Sequence, residues 1–169
     1  MLALSEVGGG PLSLARAGVF SRTYHLLAGT ERVAILTRGG FGGRRGRFES
    51  VEGRWSIRAR GLLLTHFAVV DPEREEEIAS FRETLIGRGW LVLNGGATYE
   101  WRPLDFWHIK RGFVRENGEP VITMRSKLPL LRRRARITLD LDRLTPREQM
   151  AVVAAACYQY VTQNRRSTA

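Results

Sequence analysis

The chain has 169 residues, of which 25 are Arg, 2 are Lys and 17 are Asp or Glu, so its formal net charge is +10 and its pI is about 11. An apolar fraction of 43% beside 26% charged residues is ordinary for a globular domain and excludes a wholly disordered chain, a collagen-like repeat and a coiled coil. The length suits one domain with a full-sized core, and a single cysteine excludes an intramolecular disulfide.

The first 22 residues predict an N-terminal segment that is partly irregular, followed by a single domain over residues 23–169. The apolar start of the chain has no basic region before it and is broken by Ser5, Glu6 and three glycines, so it does not read as a signal peptide.

From Leu12 to Leu141, short runs rich in β-branched, aliphatic and aromatic residues alternate with Gly, Asn, Asp and Pro about every ten residues, which predicts antiparallel strands joined by tight turns. The predicted turns are Gly29-Thr30, Glu52-Gly53, Asp71-Pro72, Asn94-Gly95-Gly96 and Asn117-Gly118. The predicted strands are Thr23–Leu27, Arg32–Arg38, Arg47–Val51, Trp55–Arg60, Leu62–Val70, Glu77–Leu85, Gly89–Leu93, Ala97–Arg102, Phe106–Val114, Val121–Ser126 and Ala135–Leu141.

The last segment predicts one helix over residues 146–164. Thr145 can cap it, Pro146 suits its first position, and Glu148 completes a capping box. Residues 150–161 are apolar nearly all round, although the run is too short to span a membrane. A helix of this kind must be enclosed by protein.

Many strands followed by one enclosed helix predict a mainly β fold, a closed antiparallel barrel of about 12 strands around its own C-terminal helix. Closure also removes exposed strand edges. The alternative is a β-sandwich with the helix packed under a layer of loops.

Five segments and the apolar helix that follows them resemble, in order and spacing, the tubby C-terminal-like superfamily. The segments are Trp55–Arg58, Ala97–Pro103, Phe106–Lys110, Val114–Ile122 and Ala135–Leu141. That superfamily includes LURP-one-related proteins and phospholipid scramblases. The resemblance implies a twelve-stranded barrel around a hydrophobic C-terminal helix. Its members are similar to phosphoinositide-binding adaptors and to proteins proposed to move lipids, but the acylated cysteine clusters and calcium-binding segment of scramblases have no counterpart here.

No catalytic, metal or cofactor site is predicted, so we expect a protein that is not an enzyme. The three histidines lack metal-ligand spacing, and Cys157 is expected to pack in the core. The alternative is a general base built from His108 with Asp105 or Glu100. The acidic run 71–77 is read as a solvated turn because it lacks the ligand pattern of a calcium loop.

Two basic segments are the candidate binding sites for a polyanion. In Arg125–Arg136, the candidates are Arg125, Lys127, Arg132, Arg133, Arg134 and Arg136, with Leu130 and Leu131 as candidates for contact with a membrane interface. In Arg38–Arg47 they are Arg44, Arg45 and Arg47. The simpler interpretation is that both segments are hairpins with solvated arginines.

The function predicted from these segments is a binding or adaptor domain for anionic phospholipid or phosphoinositide, cytoplasmic and peripheral to the membrane, with no transmembrane segment. The alternative is RNA or single-stranded DNA binding through the Arg- and Gly-rich segment 38–47, whose composition suits phosphate contacts and base stacking. Oligomeric state is left open, as is a partner-binding scaffold.

Overall fold

The structure, a computed structural model, describes residues 1–7, 10–18, 20–40, 44–60, 66–127 and 134–166, with the backbone alone for residues 127, 165 and 166. A short 3-10 helix, Leu4–Val7, precedes the strands. The strands are β1 (Leu12–Arg16), β2 (Thr23–Ala28), β3 (Glu31–Gly39), β4 (Arg45–Ser50), β5 (Gly53–Arg60), β6 (His66–Asp71), β7 (Glu76–Glu83), β8 (Gly89–Leu93), β9 (Thr98–Pro103), β10 (Lys110–Val114), β11 (Pro120–Lys127) and β12 (Arg134–Leu139), and the helix is α1 (Pro146–Arg166).

The twelve strands form one closed antiparallel barrel, which confirms the predicted fold class and excludes the sandwich. Every strand pairs with its neighbours in the chain, and β1 closes the barrel by pairing with β12, Leu12 opposite Ile137. The order is therefore up-and-down all the way round.

This order gives the barrel two distinct ends. The connections that follow β1, β3, β5, β7, β9 and β11 leave from one end, which we call the upper end. The connections that follow the even-numbered strands lie at the opposite, lower end, where α1 begins. Because α1 runs through the barrel, its C-terminal end lies at the upper end.

The core is the contact between α1 and the inner wall of the barrel. Every residue from 150 to 161 is buried, as predicted from the absence of a polar stripe. Tyr158 packs edge-on against Phe67 at 5.0 Å between ring centroids, and Phe67 stacks on Phe81 at 4.9 Å. The helix therefore fills the barrel and supplies the apolar surface against which the strands pack.

The start of α1 has the predicted capping box. The Thr145 backbone N–H donates to Glu148 Oε2 at 3.0 Å, and the Glu148 N–H donates to Thr145 Oγ1 at 3.3 Å. Arg147 then joins α1 to the wall, since its guanidinium lies 2.9 Å from the carboxylate of Asp71 and 2.8 Å from that of Glu76. The helix is anchored where it enters the barrel.

Two regions differ from the predicted elements. Residues 12–16, in the N-terminal segment, form β1, a full member of the barrel that was absent from the predicted strands. The predicted strand 106–114 begins only at Lys110, because residues 104–109 form a connection in which His108 has a φ of 56°. A left-handed residue interrupts the extended backbone that the aromatic pattern suggested.

Candidate functional site

Charge is divided between the two ends of the barrel. All 17 acidic residues belong to the described part of the chain, and all except Glu83, Glu100 and Asp105 lie toward the lower end. Among the described basic residues the distribution is reversed, and those toward the lower end are Arg32, Arg54, Arg74, Arg115, Arg143 and Arg147. The excess positive charge of the chain is therefore concentrated at the upper end.

An open groove of about 740 Å³ lies on the outer surface of β3, β4 and β5. Alternate residues of a strand point to the same face, so β4 presents Arg45 and Arg47 outward while β5 presents Arg54 and Arg58. The hydroxyl-bearing residues Thr37 and Ser56 also line the groove, and Glu73 of the β6–β7 turn lines it toward the lower end. Guanidinium and hydroxyl groups together suit a ligand that carries phosphate.

Arg45 and Arg58 stand directly opposite each other on neighbouring strands. Like charges in this position repel each other, and an anion placed between them would relieve that repulsion. The nearby Glu49 carboxylate pairs instead with Arg47, at 2.9 Å, and with Arg54, at 3.5 Å. Within the described ranges no acidic residue forms an ion pair with Arg45 or Arg58.

A second basic surface lies on β10, β11 and β12. Lys110 is opposite Arg125, and Arg125 is opposite Arg136, so three cationic residues form a row across three strands. Arg125 and Arg136 are exposed and Lys110 is half-buried. None of the three is in an ion pair with any residue that the structure describes. Lys127 and Arg134 form the next cross-strand pair toward the upper end.

The two basic surfaces are joined by β1 and β2, and Arg16, at the upper end of β1, carries the only formal charge within these two strands. β1 and β2 lie between β12 and β3, and they place half-buried Ser13, Thr23 and His25 there. Desolvation by burial and the charge of Arg32 lower the pKa of His25. At about 4.8 Å between neighbouring strands, the path along the wall from β11 to β4 is about 24 Å.

The structure thus brings the two predicted basic segments to one end of the barrel. Of the predicted residues, Arg45, Arg47, Arg125, Arg134 and Arg136 are exposed there, while Arg44 is half-buried. Arg132, Arg133, Leu130 and Leu131 lie outside the described residues.

The sequence does not predict Arg54, Arg58 and Lys110 as binding residues, because they belong to neighbouring strands and not to the two basic segments. The alternation of Arg54, Ser56, Arg58 and Arg60 with Trp55, Ile57 and Ala59 was the signal that could have found the basic face of β5.

Two residues of the segment 38–47 contribute to packing inside the barrel. Arg38 is buried, and its guanidinium lies over the Tyr158 ring at 5.4 Å from the centroid. A side chain at Gly46 would come within about 3.1 Å of Tyr158 and Ile57, so this glycine makes room for α1. These two residues are used in packing, which leaves Arg45 and Arg47 as the described outward-facing cations of the segment.

The two carboxylates considered for general-base chemistry with His108 have other described partners. The Asp105 carboxylate accepts the Lys110 N–H at 3.1 Å, and Glu100 pairs with Arg88 and Arg102. The exposed His108 ring has no hydrogen bond or ion pair to either carboxylate in the described part of the chain.

A polar cluster lies inside the barrel at the upper end. The Glu83 carboxylate accepts hydrogen bonds from Gln159 at 2.9 Å and from Gln163 at 2.6 Å. The Gln163 side-chain oxygen in turn accepts from Trp101 Nε1 at 3.1 Å and from Arg111 at 3.0 Å. Desolvation lowers the pKa of Arg111, and the charges of Glu83 and Asp105 act in the opposite direction. This cluster closes the barrel around the last turns of α1.

At the lower end, the acidic run 71–77 forms the turn between β6 and β7 and binds Arg147. No group of His, Cys, Asp and Glu able to hold a metal ion occurs in the described ranges. No described helix has both the length and the apolar character needed to span a membrane.

Comparison of the chain with family models, with curated proteins and with solved structures finds no match.

Proposed function

We propose that the protein is a non-enzymatic binding domain whose upper end docks on an anionic phospholipid surface. The observation that carries the proposal is the row of cations on β10–β12 together with the Arg45–Arg58 pair, all directed outward at one end and without acidic partners among the described residues. Guanidinium groups bind phosphate through two parallel hydrogen bonds, which suits lipid headgroups.

The charge distribution also orients the molecule. Anionic lipid attracts the upper end and repels the acidic lower end, so diffusing molecules meet the surface with the arginines first. A position on the cytoplasmic side of the membrane, where anionic lipid is concentrated, belongs to the same proposal. We also propose kinship with the tubby C-terminal-like superfamily, which is supported by the barrel and its enclosed helix.

The strength of this attraction can be bounded. At roughly 1 kcal/mol for each basic residue near an anionic surface, Arg45, Arg58, Lys110, Arg125 and Arg136 give about 5 kcal/mol. That energy corresponds to a Kd of about 0.2 mM. Charge alone therefore predicts weak binding that falls steeply as salt is added.

The test is co-sedimentation with phosphatidylcholine vesicles that contain or lack phosphatidylserine or a phosphoinositide. The variant Arg45→Gln/Arg58→Gln is compared with Arg74→Gln/Arg143→Gln, which removes the same two charges from the net +10 at the lower end. We expect the first variant to lose about thirtyfold in affinity for the anionic vesicles and the second to bind like the native chain.

Equal losses in both variants would show that only net charge matters, and absence of binding even at low salt would overturn the proposal. A gel-shift measurement with single-stranded RNA addresses the other polyanion. Tighter, salt-sensitive binding of RNA than of vesicles, abolished by Arg45→Gln/Arg47→Gln, would assign the basic surface to nucleic acid.

A further inference from the structure

Large apolar side chains are exposed in three connections of the upper end. Phe20, in the β1–β2 connection, is 94% exposed. Leu85 and Ile86, in the β7–β8 connection, are 94% and 77% exposed. Phe106 and Trp107, in the β9–β10 connection, are 88% and 77% exposed. All three connections leave from the same end of the barrel, so exposed apolar side chains stand at three separate points around one rim.

Hydrogen bonds close the connections that carry these side chains. Phe106 and Trp107 pack edge-to-face at 5.4 Å between centroids, and their connection is closed by the Leu104 N–H to the Lys110 carbonyl at 2.9 Å and by Asp105. The β7–β8 connection is closed by the Thr84 N–H to the Arg88 carbonyl at 2.7 Å. Gln163 of α1 donates to the Gly87 carbonyl at 3.2 Å, which joins that connection to the helix.

The third connection is closed in the same way. The Ala17 N–H donates to the Thr23 carbonyl at 2.9 Å, and Arg16 Nε donates to the Ser21 carbonyl at 2.6 Å. Phe20 is therefore held at the rim next to Arg16 and Arg22.

The positions of the three connections around the rim restrict how they can be covered. The β1–β2 and β7–β8 connections are six strands apart, so they lie on opposite sides of a barrel about 24 Å across. A surface that touches all three tips must lie across the end of the barrel. A flat, extended partner meets that requirement, whereas a partner seated on the side wall does not.

The charges around the tips favour an anionic partner. Arg22, Arg88 and Lys110 each lie within three residues of an exposed apolar tip. The three acidic residues of this end are already engaged, Glu100 with Arg88 and Arg102, Asp105 with the Lys110 N–H, and Glu83 with Gln159 and Gln163. Aromatic and aliphatic tips beside Lys and Arg are the composition of segments that enter a membrane interface.

We infer that Phe20, Leu85, Ile86, Phe106 and Trp107 insert together into the interfacial layer of an anionic bilayer, so that the barrel stands on its upper end with the C-terminal end of α1 toward the membrane. This inference rests on the proposed membrane function. Insertion adds to the binding free energy an apolar contribution that salt does not screen. It also fixes the orientation of the barrel relative to the membrane.

The test uses single cysteine variants carrying an environment-sensitive fluorophore, Phe20→Cys, Leu85→Cys and Trp107→Cys, with Val51→Cys as a matched exposed site at the lower end. Cys157 is fully buried, so labelling is directed to the introduced thiol. On vesicles of phosphatidylcholine and phosphatidylserine, we expect the first three labels to enter an apolar environment and to be quenched by lipids with a quencher on the acyl chain. We expect the label at residue 51 to be unchanged.

Affinity gives the second readout. Phe106→Ser/Trp107→Ser is expected to weaken vesicle binding about tenfold, equal to about 1.4 kcal/mol, at both low and high salt, whereas the Arg45→Gln/Arg58→Gln loss is expected to shrink at high salt. Thermal unfolding of each variant checks that the barrel is intact.

The outcomes separate insertion from the proposed function. Salt-sensitive vesicle binding with unchanged fluorescence at residues 20, 85 and 107 would overturn insertion and leave electrostatic docking in place. A response at one tip only would overturn the end-on orientation. Absence of vesicle binding would overturn both, and concentration-dependent dimers that bury the labelled tips would assign this end to a second copy of the chain.

Discussion

Gly112 of β10 occupies a position where the neighbouring strand leaves no room for a side chain. A Cβ atom there would overlap the backbone carbonyl of Ile122 and would lie 3.2 Å from the side chain of Leu104. Backbone cannot move aside without breaking the pairing of β10 with β11. The glycine is therefore required by close strand packing and not by a turn.

We expect Gly112→Ala to lower the free energy of unfolding by about 2–3 kcal/mol, or to prevent folding, because the overlap forces the strands apart. Gly39→Ala, at another strand glycine with no heavy atom within 4 Å of the added Cβ, is the control and should change stability by less than about 0.5 kcal/mol. Urea unfolding of both variants makes the comparison, and equal midpoints would contradict the steric explanation.

Cys157 provides a pH-dependent prediction. Burial raises the pKa of its thiol to about 12 from an ordinary value of 9.0, so above pH 9 the unfolded chain loses this proton while the folded chain keeps it. The folded state then binds more protons, and stability must fall as pH rises between those two values.

We expect the free energy of unfolding of the native chain to fall more steeply above pH 9 than that of Cys157→Ala, by up to about 1.4 kcal/mol per pH unit. Other titrating groups are common to both proteins and cancel in the difference. Parallel stability profiles from pH 8 to pH 11 would show that the thiol ionises equally in the folded state.

At the scale of elements, the start of α1 is the feature that the sequence determined most completely. Thr145, Pro146 and Glu148 lie within four residues of one another, so their contacts are local and can be read directly. The Thr145 hydroxyl accepts from the Glu148 backbone N–H, and the Glu148 carboxylate accepts from the Thr145 backbone N–H, as predicted. A hydroxyl at position 145 is all that this cap requires.

Thr145→Ala is expected to lower the free energy of unfolding by about 1 kcal/mol because one N–H at the start of α1 loses its acceptor. Thr145→Ser retains the hydroxyl and should stay within a few tenths of a kcal/mol of the native chain. Thermal denaturation of the two variants measures the difference. Equal destabilisation by Ser and Ala would assign the effect to the lost methyl group and not to the cap.

The strands show where sequence reasoning succeeds and where it stops. β8 was predicted to the residue because Gly89 and Asn94 punctuate a short alternating run. β1 was missed because five residues beside a glycine-rich stretch carry little periodicity. Residues 106–109 belong to the predicted strand 106–114 because Phe, Trp and Ile favour strands, while the left-handed backbone at His108 is set by the loop's own hydrogen bonds.

At the scale of the whole molecule, the site depends on topology that no local pattern contains. The basic segments are about 80 residues apart in the chain. The up-and-down order places their described residues at one end, and the β1–β12 closure shortens the path between them. The exposed tips Phe20, Leu85 and Trp107 belong to the same end for the same reason. The arginines of the basic segments can be predicted from the sequence. The Arg45–Arg58 pairing and the location of the three apolar tips at one end can be seen only in the folded barrel.

The barrel in turn depends on the helix that fills it. Residues 150–161 are buried against the inner wall, so a chain ending at Leu144 keeps all twelve strands but loses the apolar surface against which their inner faces pack. An empty barrel of this width would leave a large void lined by Phe67, Phe81 and Phe113, and such surface cannot stay in contact with water at small cost.

We therefore expect the chain 1–144 to lack near-ultraviolet circular dichroism, to bind an apolar dye such as ANS, and to unfold without a cooperative transition. The control is the chain 1–166, which retains α1 and should unfold cooperatively like the full protein. A cooperative transition in the shorter chain would mean that strand pairing alone closes the barrel. The reason to expect otherwise is that closure brings β1 to β12 across more than 100 residues, and the buried face of α1 provides the contacts that offset this loss of chain entropy.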